Sequence, residues 1–409
     1  MKIALISSWS VYCGIATYTY HLAEKLLKEN QDVRIFARDI IRGATYNTTL
    51  KKLPLKVIRC WSRKKEEDFE KLIKEVKRYN PDVVHVQSNI FDRIDGFKKL
   101  RNAFSGRIVI TLHDLALPNA AQPWKVVYTE RVKNFVDHFI VHDRLTKTCL
   151  IHLYKVKEKK ISVIEHGTLL CPKIGKRAAR EKIGYPQNIK LILSYGFFAI
   201  HKGTAEIIQS LPLIEEKVPN IKYIHLGKKR IKEKTKGGKI VLEYLQRCKK
   251  LVKKLNLQSQ VKFIWQFSSE KEISYYLKAA DVIVIYYDYP FSNLYASGIA
   301  HQAVAAGRPV ITSDVSTFSE FPRNTLHKVP YALSYKLGKN NKIIVIKPFA
   351  PRENVKNLAD TIIKVLSDKR LQKKLVQNSL LYAEKTSWEK TAKRHIKTYR
   401  KFLKHAKKK

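Results

Sequence analysis

Short apolar runs alternate with longer segments of helical period along most of the chain. KIALIS, DVRIFA, PDVVHVQ, RIVITLHD and HFIVHD read as strands. Between them, Tyr18–Lys28 and the apolar positions Phe69, Leu72, Ile73 and Val76 recur at helical spacing. Strands apolar on both faces, alternating with amphipathic helices, predict a parallel sheet covered on both sides. The rhythm breaks between residues 171 and 190, where Pro172, Gly175, Gly184 and Pro186 interrupt a basic stretch that reads as a linker. It restarts with KLILSYGF, KYIHLG, VKFIWQ, DVIVIYY and RPVITSD as strands, and Asn354 to Phe402 is mostly helical by pattern.

The architecture expected is α/β, with two doubly wound parallel-sheet domains. The first covers residues 1–175 and the second 185–385; residues 386–409 form a C-terminal helix and a basic tail, with KFLKHAKKK fraying. Such sheets place ligands at the carboxyl ends of their strands, where the strand order reverses, so the chemistry is expected in a cleft between the halves.

Composition narrows the class. The 409 residues carry 80 Lys and Arg against 35 Asp and Glu, a net charge of +45, and 44% of them are hydrophobic, enough for packed cores. Collagen-like and disulfide-framework classes fall away with 15 Gly, 14 Pro and 5 Cys. The cysteines (Cys13, Cys60, Cys149, Cys171 and Cys248) are scattered, with no Cys-x-x-Cys pair, and read as free thiols in a reducing cytosol. The apolar run Ile3–Ile6 is too short for a signal core and reads as a buried first strand. Tyr289–Gly307 lacks charges, but Pro290, Asn293, His301 and Gln302 rule it out as a membrane span. The expected location is the cytoplasm, with peripheral attachment to the cytoplasmic membrane face as an extension of that reading.

The charge admits three readings: solvation of helix faces by lysine, attraction to an anionic membrane surface, and nucleic-acid binding. Carboxylates are mixed among the lysines of Lys222–Lys254, and no nucleic-acid motif appears. Nucleic acid is therefore not expected as a partner.

Several positions carry candidate chemistry. Gly14 sits where the turn after the first strand becomes a helix, and helix-start amides bind anions. Ser297-Gly298 opens an Ala-rich helix that stops at Gly307, again directly after a strand and loop. Lys202 follows another strand end beside Gly203 and suits a phosphate as a point charge. His113 and His166 end strands and either meet a substrate or satisfy a backbone carbonyl.

Taken in order, GIATYTYHLAEKL, ITLHD, FIVHD, ISVIEHG, YGFFAIHKG and SGIAHQAVAAGRPVITSD resemble the retaining glycosyltransferases of family 4, which include glycogen-synthase-like and mannosyltransferase-like enzymes. The resemblance covers essentially the whole chain. It implies the GT-B fold: two facing Rossmann-like domains, with a C-terminal helix opened by Ser387-Trp388 that returns to the first. It implies transfer of a hexose, with retention, from a nucleoside diphosphate sugar to a hydroxyl acceptor. The donor is a co-substrate; no metal and no other cofactor is implied.

By the same resemblance, Gly14 lies near the donor phosphates and the acceptor, and His113 near the transferred sugar. Lys202, beyond Gly196, neutralises the diphosphate; the main-chain amides of Ser297, Gly298 and Ile299 cap it; Gln302 stands where a glutamate usually holds the ribose. Departures accompany the match. The usual pair of glutamates is Leu294 and Gln302, and the arginine expected five residues before the lysine is Phe197. Asn293, Ser292 or Tyr289 are candidates to replace the missing sugar contact, and Cys13 replaces a common glycine. A catalytically silent GT-B subunit that binds a partner is the alternative. For the acceptor, the basic and aromatic residues Arg59, Trp61, Arg63, Lys64, Lys65, Trp124 and Lys125 suggest a glycan or lipid-linked molecule approached at an anionic membrane, with a solvated loop as the plainer reading.

Overall fold

The computed structural model describes residues 1–39, 47–48, 50–62, 67–87, 94–117, 123–228, 236–265, 269–287, 293–322, 324–329, 335–337, 343–345 and 351–406. They form two compact units. Unit 1 comprises Met1–Gly167, Ser292–Gly298 and Thr386–Lys409; unit 2 comprises Thr168–Phe291 and Ile299–Lys385.

In chain order, the first stretch of unit 1 holds β1 (Lys2–Ser7), α1 (Gly14–Lys28), β2 (Asp32–Arg38), β3 (Lys56–Trp61), α2 (Glu67–Tyr79), β4 (Val83–Gln87) and α3 (Ile94–Ala103). After these come β5 (Arg107–Thr111), β6 (Asp114–Ala116), α4 (Pro123–Val132), β7 (His138–Val141), α5 (Arg144–His152) and β8 (Ile161–Val163). Unit 2 follows with α6 (Lys176–Ile183), β9 (Lys190–Tyr195), α7 (Thr204–Glu215), β10 (Ile221–Gly227), α8 (Lys236–Lys254), β11 (Val261–Trp265), α9 (Glu270–Ala279) and β12 (Val282–Ile285). The chain visits unit 1 for β13 (Asn293–Tyr295). It then re-enters unit 2 through α10 (Gly298–Val304), β14 (Val310–Ser313), β15 (His327–Val329), β16 (Tyr335–Leu337), β17 (Ile343–Val345), α11 (Pro351–Ser367) and α12 (Lys369–Lys385). The last helix, α13 (Trp388–Ala406), belongs to unit 1.

The main sheet of unit 1 is parallel, in the order β3-β2-β1-β4-β5-β7-β8. That of unit 2 is parallel in the order β11-β10-β9-β12-β14-β15. Central strands such as β4 and β12 are buried along their whole length, as expected of strands covered by helices on both faces. The strand order reverses at β1/β4 in unit 1 and at β9/β12 in unit 2. These are the switch points where such sheets bind ligands.

Two sequence expectations need correction. The stretch 171–190 is not a bare linker, because it contains α6. Arg180 of that helix is fully buried: its guanidinium donates to the Ala279, Pro186 and Gln187 carbonyls and to Asp281 at 2.6 Å. Asp281 also accepts from Lys176 and from the Leu191 amide, so α6 is tied to the sheet of unit 2. The tail does not fray from Lys401 onward either. Helix α13 runs on to Ala406, with the Phe402 ring 4.0 Å from that of His138.

The buried stripe of α13 is Trp388, Ala392, His395 and Tyr399, at helical spacing, and the helix packs on α1. Lys25 of α1 pairs with Glu389 at 2.8 Å. Among the described residues no helix is long and apolar enough to cross a membrane.

Candidate active site

In unit 2 the residues after β9 and β12 converge. Tyr195 ends β9, and Gly196 follows with φ +119°, a backbone shape that L side chains rarely adopt. A Cβ at Gly196 would lie 2.6 Å from Ile299 Cδ1 on α10. Across β10, a Cβ at Gly227 would lie only 1.8 Å from the Gly196 carbonyl oxygen. Gly227→Ala therefore forces the strand ends apart. It is expected to cost about 1–3 kcal/mol, as overpacking does, and to weaken nucleotide binding along with it. An unchanged melting temperature would refute that.

Lys202 ends a single 3-10 turn, Ile200–Lys202, and is followed by Gly203 in the left-handed region at φ +57°. A Cβ at Gly203 would sit 2.6 Å from the Tyr286 carbonyl oxygen, so this turn fits closely against the end of β12. Lys202 Nζ donates to the Tyr287 hydroxyl at 2.6 Å and lies 3.8 Å from the centroid of that ring. The Tyr287 amide is fixed in turn by Ser313 Oγ at 2.9 Å. The Tyr195 hydroxyl donates to Gln302 Oε1 on α10. Burial pushes the Tyr195 phenol well above its usual range, so it remains a donor at neutral pH. Gln302 thereby has its carbonyl engaged and its amide N–H groups left to donate.

In unit 1, His113 lies just past the end of β5. Its Nε2 is 2.7 Å from Gln87 Oε1, and its Nδ1 is 3.1 Å from His142 Nε2. The Tyr18 ring meets it edge-on at 4.5 Å. Burial, and then neighbouring His142, push His113 well below the ordinary imidazole range, so it is neutral. His166 Nδ1 donates to the Gly167 carbonyl at 2.8 Å, the plainer of its two readings. Gly298 lies against it, for a Cβ there would be 3.3 Å from His166 Nε2. Gly14 opens α1 with open space beside it, and its N-cap residue, Cys13, makes no side-chain cap.

The expected site residues thus divide. Gly196, Lys202, Ile299 and Gln302 gather in unit 2, while Gly14, His113, Ser297 and Gly298 belong to unit 1. Asn293 is the first residue of β13; its side chain lies outside the described residues, as do Tyr289 and Ser292. Leu294 is buried in the antiparallel β13/β6 pair opposite Leu115. A leucine suits that ladder.

Residues 12–168 match the sequence model of Glycosyltransferase Family 4, and residues 175–381, half of the chain, match that of Glycosyl transferases group 1. The chain belongs to the group 1 glycosyltransferases. This glycosyltransferase is 28% identical over 206 residues to an uncharacterized glycosyltransferase of Methanocaldococcus jannaschii, a match spanning 45% of this chain and 43% of that relative's length. A glycosyltransferase structure from Rickettsia africae ESF-5 superposes with a TM-score of 0.73 at 19% identity, covering 98% of both chains. Sucrose-phosphate synthase from Thermosynechococcus elongatus gives 0.74 at 21%, covering 99% of this chain and 100% of that one. The Anabaena protein HepE, in complex with UDP-glucose, gives 0.70 at 15%, covering 97% and 99%. The fold is GT-B, built from two Rossmann-like domains.

One expectation about the glycosyltransferase is overturned. Arg59 and Trp61 do not form an exposed basic-aromatic patch, because they lie in β3. Trp61 is fully buried and its Nε1 donates to the Phe36 carbonyl; Arg59 donates to the Arg38 and Trp9 carbonyls. Arg63, Lys64 and Lys65, and the side chains of Trp124 and Lys125, lie outside the described residues. Sequence reasoning also missed Gln87, His142, Tyr195 and Tyr287. Their signal is a polar or hydroxyl-bearing residue at or just beyond the carboxyl end of an otherwise apolar strand.

Proposed function

We propose that this glycosyltransferase moves a hexose, with retention and without a metal, from a nucleoside diphosphate sugar to a hydroxyl of a glycan or lipid-linked acceptor. The observation that carries the reading is Lys202, an ammonium held by Tyr287 at the switch point of unit 2, beside Gly196 and Gln302. As the bond to the leaving diphosphate breaks, negative charge builds on its oxygens. A pre-placed cation stabilises that charge more than the ground state, which accelerates the step. Helix α10 spans only Gly298–Val304, so its dipole is short and Lys202 carries more of this work. Gln302 amide N–H groups donate to oxygen atoms of the nucleotide, and His113 meets a hydroxyl of the donor sugar. HepE in complex with UDP-glucose, on the same fold, supports a nucleotide-sugar donor. The cytoplasm, with contact to an anionic membrane surface, remains the proposed setting.

The silent-subunit reading rests on Leu294 and Phe197, and the Leu294 side chain is spent on the β13/β6 pair. Both readings meet in one experiment, a thermal-shift panel with UDP-, GDP- and ADP-sugars, with and without magnesium. A ligand at a hundred times its Kd adds about 3 kcal/mol of stability. A metal-independent shift with one nucleotide sugar is expected. Absence of any shift would transfer the case to the silent subunit.

A further inference from the structure

Four histidines of unit 1, His113, His142, His166 and His395, surround Tyr18, and a fifth, His85, joins them through Gln87. The Tyr18 ring lies 4.5 Å from His113, 5.1 Å from His166, 5.5 Å from His142 and 6.4 Å from His395. We propose that His142 is a positioning residue which fixes His113 in its Nδ1-protonated tautomer, so that His113 Nε2 is an acceptor, filled by the Gln87 amide until a donating hydroxyl takes that amide's place. The part about the sugar hydroxyl rests on the transferase reading above; the tautomer does not.

The assignment follows from donor and acceptor accounting, starting at the one end that has no choice. The Ile164 carbonyl only accepts, and it lies 3.0 Å from His142 Nδ1, so that nitrogen carries a proton. His142 is taken as neutral, and its Nε2 is then bare. Its partner at 3.1 Å, His113 Nδ1, must donate to it. His113 is neutral, so its own Nε2 is bare and accepts. The structure turns Gln87 Oε1 to His113, but a carboxamide has nearly the same shape either way round, and this network turns it over, with the NH2 end to His113. The other end of Gln87 is then an oxygen 3.4 Å from His85 Nε2, which also lies 2.7 Å from Thr111 Oγ1. His85 Nδ1 is left to accept from the Tyr399 hydroxyl at 2.6 Å. Every link from Tyr399 on α13 to the Ile164 carbonyl runs in one direction.

His142 is buried at 2% exposure. It faces Tyr18 from α1, His113 from the end of β5, His166 and the Ile164 carbonyl from the segment after β8, and His395 from α13, where Arg394 is adjacent. The carboxylate of its chain neighbour Asp143 is engaged by the Thr146 amide and hydroxyl, each at 2.8 Å. Adding one proton reverses the pair. A proton bound at His113 Nε2 sends the Nδ1 proton across to His142 Nε2. His113 stays neutral, now as a donor at Nε2, and the charge rests on His142.

The test is spectroscopic and needs no substrate. Protein labelled with 15N-histidine is examined near neutral pH by long-range proton–nitrogen correlation, with His113 assigned through His113→Gln. The expected pattern for His113 is a protonated Nδ1 and a bare Nε2. His142→Phe should release it toward the Nε2–H form, and His142→Gln, whose amide oxygen can accept from Nδ1, should restore it. In turnover, His142→Phe should lower kcat about tenfold with nucleotide-sugar affinity unchanged, and His142→Gln should stay within about threefold of the parent. A protonated Nε2 in the parent protein overturns the assignment, and so does a His113 tautomer that His142→Phe leaves unaltered. If no nucleotide sugar is turned over while the tautomer is as stated, the transferase reading fails and the assignment stands.

Discussion

Acidification to about pH 5.5 is expected to destabilise unit 1 by roughly 5 kcal/mol relative to neutral pH. Burial holds His85 and His113 well below their ordinary range, His395 at about 4 and His138 at about 3. Unfolded, each returns to about 6.5. Between those limits the unfolded chain binds more protons than the folded one, so stability rises with pH through this window and is lost as pH falls. Each histidine contributes about 1 kcal/mol or a little more per pH unit, and His85, His113, His138 and His395 titrate together in unit 1. In unit 2, burial likewise pushes His225 down to about 3 and His327 below its usual value, a smaller loss. Hydrogen exchange followed on peptides of each unit, corrected for the intrinsic pH dependence, should show unit 1 opening first. Equal protection of unit 1 at both pH values would refute this account.

Replacing Lys202 by alanine is expected to lower turnover ten- to a hundredfold. The ammonium is placed by Tyr287 before any ligand arrives, so little reorganisation is needed as charge develops on the diphosphate. Losing a charge-assisted hydrogen bond of about 1.5–3 kcal/mol corresponds to that range. Two companions sharpen the reading. Lys202→Arg keeps the charge but replaces a compact ammonium with a planar fork, and should recover activity only in part. Tyr287→Phe removes the hydroxyl that holds the amine and should cost less than losing the amine itself. A Lys202→Ala protein with full turnover would remove this residue from the mechanism.

The strands were legible where burial on both faces leaves an unbroken apolar run, as in KIALIS or DVIVIYY. β3 was not, because KVIRCW mixes charge with aromatic surface; its Arg59 and Trp61 find their partners on β2 and in the turn after β1. α6 was hidden for a related reason. Its residues look like a basic linker until Asp281, about a hundred positions later, supplies the counter-charge. The candidate site divides in the same way. Lys202, Gly196 and His113 stand in local motifs that resemble a family, so a single stretch of sequence was enough to nominate them. Gln87 and His142 acquire meaning only once β4, β5 and β7 lie side by side. Tyr195 and Gln302 meet only through the packing of α10 near the end of β9.

The division of the chain also orders its birth on the ribosome. Unit 2 ends at Lys385, whereas unit 1 still lacks α13 when that residue is made. Until Trp388, His395 and Tyr399 emerge, the hydrogen-bond partners they give to Tyr18 and His85, and the apolar cover over α1, are missing. The first 167 residues therefore lack part of their packing until the last 24 are made, and the residues of unit 2 are all present before those of unit 1. A stop codon just after Lys385 would spare every residue of unit 2 and leave unit 1 without its final wall.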